Sequence, residues 1–83
     1  MSFGLVNREV LRLRGEFVLN GATPVTVEAP GVNSGAMILI SISAPGGTVG
    51  AVPAVQSIDE VAQSFDIAGT AGDTSTYNFI VLA

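Results

Sequence analysis

Short runs rich in β-branched residues, cut at close intervals by glycine and proline, constrain this chain more than any other feature. There are eleven Val, six Ile and six Thr, against ten Gly and four Pro. β-Branched side chains are stiff at χ1 and fit a pleated surface better than a helix. Such runs between turn residues are the pattern of a sandwich or barrel. The expected fold is all-β, a small antiparallel β-sandwich or jelly-roll-like barrel of about six to eight short strands.

Alternation places the strands. In Glu9 to Leu19 the residues Leu11, Leu13, Phe17 and Leu19 share one face, while Arg12, Arg14 and Glu16 share the other. Gly15 inside that run marks a bulge or a close approach. Asn20-Gly21 signals a tight turn, and Pro24 to Glu28 reads as a short second strand. In Met37 to Ser43 the residues Ile38, Ile40 and Ile42 share a face. Pro53 breaks Thr48 to Ser57 into weak strands, because proline cannot donate to a ladder. Ser57-Ile-Asp-Glu60 has the spacing of a helix capping box. A helix of one turn is marginal in isolation, so an acidic surface loop is the preferred reading there. Ser64 to Ala68 is a strand with Phe65 and Ile67 inward. Ser75 to Leu82 is a strand apolar on both faces, which suggests a central position or a partner subunit.

Size makes such a fold marginal alone. A chain of 83 residues buries only about 60% of its extended surface. There is no Cys or His, so neither a disulfide nor a structural zinc site is expected, and association is the remaining staple. The composition agrees, being 48% hydrophobic and only 12% charged, since large exposed apolar surface usually marks contact.

Charge excludes some partners. The net charge is −4, the wrong sign for a phosphate backbone or an anionic lipid surface. All three cations, Arg8, Arg12 and Arg14, lie near the start, and from Ala29 onward the charged residues are the acids Asp59, Glu60, Asp66 and Asp73. The first residues lack a basic segment followed by an apolar one, so no secretion signal is expected. The longest apolar stretch, Ala36 to Ile42, is too short to span a bilayer.

Catalysis finds few side chains to use. Without His, Cys or Lys the usual bases and two common nucleophiles are missing. Asp66 and Asp73 flank a glycine-rich turn and are the pair most able to approach, but so small a chain offers little wall for a cleft. In Asp66-Ile-Ala-Gly-Thr-Ala-Gly-Asp73 the acids are too sparse for a calcium loop. Gly69 and Gly72 are better read as turn residues, with Asp73, Thr74 and Ser75 capping backbone N–H groups. No enzyme activity, cofactor, metal or small-molecule substrate is expected.

Two stretches, Asn20-Gly-Ala-Thr-Pro-Val-Thr-Val27 and Phe65-Asp-Ile-Ala-Gly-Thr-Ala-Gly-Asp-Thr-Ser-Thr-Tyr-Asn-Phe-Ile-Val81, resemble small structural proteins of tailed bacteriophages. Gly46-Gly-Thr-Val-Gly-Ala-Val-Pro-Ala-Val55 fits the same pattern, and Ser57 to Gln63 departs from it. The resemblance implies a head decoration (cement) protein: a homotrimer on the outer surface of the virion capsid, bridging subunits of the major capsid protein. The alternative it implies is a receptor- or glycan-binding β module of a tail fibre or spike. Residues 1–8 are expected to form an arm ahead of a single β domain, 9–83. Phe3, Leu5 and Val6 on that arm, with Tyr77 and Phe79, are the expected interface residues.

Overall fold

The computed structural model describes residues 11–82, with side chains from Leu13 onward. The expected arm, with Phe3, Leu5 and Val6, lies outside the described residues. Six strands form: β1 (Leu11–Val18), β2 (Val25–Glu28), β3 (Met37–Ala44), β4 (Ala54–Asp59), β5 (Ser64–Ala68) and β6 (Thr76–Leu82). They build two three-stranded sheets, β1-β6-β3 and β2-β5-β4, in which every pairing is antiparallel. The fold is therefore a two-sheet sandwich. Only the β4–β5 connection stays within one sheet, so the other connections carry the chain across the core.

The period-2 pattern decides which face goes inward. On the central strand Tyr77 pairs with Phe17 on one side and Ile42 on the other, and Phe79 pairs with Gly15 and Ile40, so these residues share the inner face of the first sheet. Val25, Val27, Phe65 and Ile67 line the facing sheet. Aromatic rings interlock between them. Phe65 meets Phe79 edge-on at 5.3 Å between centroids and Phe17 at 6.5 Å, while Phe17 stacks on Tyr77 at 5.7 Å. Each such pair adds about 0.5–1.5 kcal/mol beyond its buried area. Gly15 makes room for this cluster: a Cβ there would lie 2.9 Å from a ring carbon of Phe79. It is a close approach, and the register irregularity falls instead between Leu11 and Leu13.

The Ser57-to-Glu60 segment is strand and turn. β4 runs to Asp59, whose carboxylate accepts the backbone N–H groups of Val61 and Ala62 at 3.0 Å each. Its oxygen thus caps a turn of the Asx type. The carbonyl of Gln63 accepts the Ala29 N–H at 2.8 Å, and Glu60 accepts the Ser34 N–H at 2.5 Å. These bonds fold the 29–35 loop, with buried Ala29 and Val32, onto the β4–β5 turn.

Candidate functional site

Polar side chains gather first at one end of the sandwich, where the 69–75 turn enters β6. Gly72 adopts φ 86°, in the left-handed region that favours glycine. The turn then drops Asp73 and Ser75 into fully buried positions. The Asp73 carboxylate accepts the Ser75 N–H at 3.0 Å and the Tyr77 hydroxyl at 2.6 Å. The Ser75 hydroxyl donates to the Gly46 carbonyl at 3.1 Å and accepts the Gly46 N–H at 2.9 Å. The backbone here also bonds Gly21, Thr48 and Leu19. One turn therefore braces two other loops, 19–24 and 45–53, and no buried side-chain polar atom among the described residues lacks a partner.

The same bonds set the titration. The Ser75 side chain and the Tyr77 hydroxyl hold the Asp73 carboxyl below the usual range, against burial, which raises it. The bond to Asp73, then burial, then the Asp73 charge push the Tyr77 hydroxyl above its ordinary value. Asp66 has a different partner, the Thr26 hydroxyl at 2.8 Å on the outer face of the second sheet. The two acids flanking the turn are thus committed separately. Among the described residues there is no group of three or more acids placed to hold a metal ion.

Tyr77 and Phe79, expected at an interface, are 4% and 3% exposed. Sequence reasoning placed them on a doubly apolar strand. The structure makes that strand central in its sheet and covers this face with the chain's own second sheet, so both are core residues.

Two outward surfaces went unnoticed in the sequence. The outer face of β1-β6-β3 holds a depression of about 280 Å³ lined by Arg14, Leu39, Ser41, Asn78 and Ile80, among others. Registers Arg14–Ile80–Leu39 and Glu16–Asn78–Ser41 set the polar groups beside an apolar stripe. Reading the alternation of each strand separately hides this combination. The second surface is the side where the β3 and β4 edges face each other. Its groove of about 350 Å³ is lined by Ile38, Ile40, Val52, Pro53, Val55 and Ile58, among others.

A family model described as the K1 capsule-specific polysaccharide lyase, C-terminal domain, matches residues 13–82. No curated protein and no solved structure matches the chain.

Proposed function

The chain belongs to the family of the K1 capsule-specific polysaccharide lyase C-terminal domain, and from that premise we propose that it is a non-catalytic, glycan-contacting module of a phage tail spike. The observation that carries this reading is the match itself, which runs from β1 through β6. The family is related to phage tail spikes. We therefore assign the chain to the virion, beside a domain that cleaves the polysaccharide.

Side-chain chemistry supports a contact role. Elimination across a sugar ring requires a base that removes a proton. The chain has one Tyr and neither His nor Lys. That tyrosine is buried, and its hydroxyl donates to Asp73. Its raised pKa makes the phenolate scarce at neutral pH. A glycan contact has other needs: polar groups converging beside apolar surface. Arg14, Asn78 and Ser41 around Leu39 and Ile80 supply them. An Arg also suits sugar carboxylates through charge-assisted hydrogen bonds.

The head-decoration reading, with its major capsid protein partner, uses the same contact logic on a different surface of the virion. The family match favours the spike. Co-sedimentation separates the two readings. Retention of the chain by capsular polysaccharide, weakened about tenfold or more in Arg14→Ala, supports the spike module. Retention by undecorated capsids with no polysaccharide binding overturns it in favour of decoration.

A further inference from the structure

Asn20-Gly21 is the one place in the chain where glycine follows asparagine. Such a pair carries its own chemistry. The backbone nitrogen of the second residue attacks the side-chain amide carbon of the first. The new C–N bond closes a succinimide ring, and the bond that breaks releases the side-chain nitrogen as ammonia. Water then opens the ring at one of its two carbonyls, leaving aspartate or isoaspartate. Glycine has no Cβ to hinder the attack.

The fold requires this pair and also holds it shut. Gly21 adopts φ 59°, and a Cβ there would lie 3.0 Å from the Gly72 nitrogen, so the turn needs glycine. Asn20 is exposed, whereas Gly21 is buried. Attack requires the peptide plane between them to rotate until its nitrogen faces the Asn20 side chain. Both ends of that plane are tied. The Asn20 carbonyl accepts the Thr23 N–H at 3.1 Å, and the Gly21 N–H donates to the Asp73 carbonyl at 2.8 Å. The Gly21 carbonyl in turn accepts the Gly69 N–H at 2.9 Å. A buried N–H gives up such a partner only when its segment opens.

We propose that Asn20 is a latent self-modification site, sealed by the 69–75 turn, and that opening of this end of the sandwich lets it convert to isoaspartate. The mark is permanent. Isoaspartate routes the main chain through the former side chain and adds a methylene between Leu19 and Gly21. The N–H groups of those two residues bond the carbonyls of Ser75 and Asp73 at 3.0 and 2.8 Å, a spacing that the longer chain does not match. Conversion also adds a negative charge to a chain already at −4. A brief opening thus becomes a lasting loosening of the turn that braces the 19–24 and 45–53 loops. The proposal is independent of the glycan reading, because no step of it involves the depression at Arg14.

Peptide mapping of the full chain at mildly alkaline pH, with and without urea, tests it by following isoaspartate at position 20. Conversion in urea is expected to be at least about tenfold faster than in the folded chain, the ratio set by the cost of local opening. Tyr77→Phe removes one bond to Asp73 and speeds Gly21 amide exchange and conversion by the same factor, because the exchanging amide is the attacking nucleophile. If that variant fails to fold, the two rates are compared on the parent chain across low urea concentrations. Asn20→Ser keeps the fold and abolishes the reaction. Equal conversion in the folded and unfolded chain overturns the seal, as does faster Gly21 exchange with no faster conversion. A converted chain that keeps the parent urea midpoint overturns the loosening.

Discussion

Tyr77 does two jobs: its ring stacks on Phe17, and its hydroxyl satisfies a carboxylate with no access to water. Tyr77→Phe keeps the ring and removes the donor, leaving Asp73 with its Ser75 bonds alone. The pH dependence of unfolding should read this directly. Asp73 has its pKa lowered by folding, so its contribution is present above the unfolded carboxylate value near 4 and fades as pH falls through the folded one. Tyr77 has its pKa raised, so its contribution is complete below the unfolded value near 10 and fades as pH rises through the folded one. Urea midpoints of the parent chain should fall on both sides of that window. In Tyr77→Phe the acid limb should move to higher pH, and the Tyr77 part of the alkaline limb should vanish. An unchanged acid limb would show that the hydroxyl does not govern Asp73. The capping role of Asp73 was legible, because its bond reaches only two residues along the chain, whereas the Ser75 hydroxyl caps Gly46 across 29 residues. The Tyr77 bond was not, since it depends on how the turn delivers Asp73 against β6.

Strands were the most legible level, because alternation and turn residues are local signals. β5 spans Ser64–Ala68 as expected, and β3 runs one residue past its expected end. Pro53 marks the start of β4, whereas the capping-box spacing at Ser57 yields to pairing with β5, where Ser57 lies opposite Asp66. Pairing partners and the covering of β6 were not legible. A strand apolar on both faces reads alike whether its cover is another sheet or another chain. Gly15 offers an element-scale prediction. Gly15→Ala places a methyl 2.9 Å from the Phe79 ring, in a cluster packed from both sheets. Overpacking of this kind costs about 1–3 kcal/mol, seen as a lower urea midpoint with an unchanged slope. A loss below about 0.5 kcal/mol, the level of an indifferent surface change, would mean that the ring yields and β1 is not tightly fixed against β6.

For the whole molecule, the all-β class followed from composition and pattern. The choice of sandwich over barrel did not, because it rests on which edges stay apart. The proposed contact surface was hidden for a related reason. Arg14, Asn78 and Leu39 come from three strands and meet only once β6 lies between β1 and β3. On the proposed function, this module holds polysaccharide without cutting it. Calorimetric titration of the chain with capsular polysaccharide, followed by sizing of the polymer from the same cell, tests that claim most directly. Saturable heat with the polymer length unchanged is the expected result. Shortened polymer would show that the chain is itself a lyase, and the absence of heat at millimolar sugar would remove the glycan from its function.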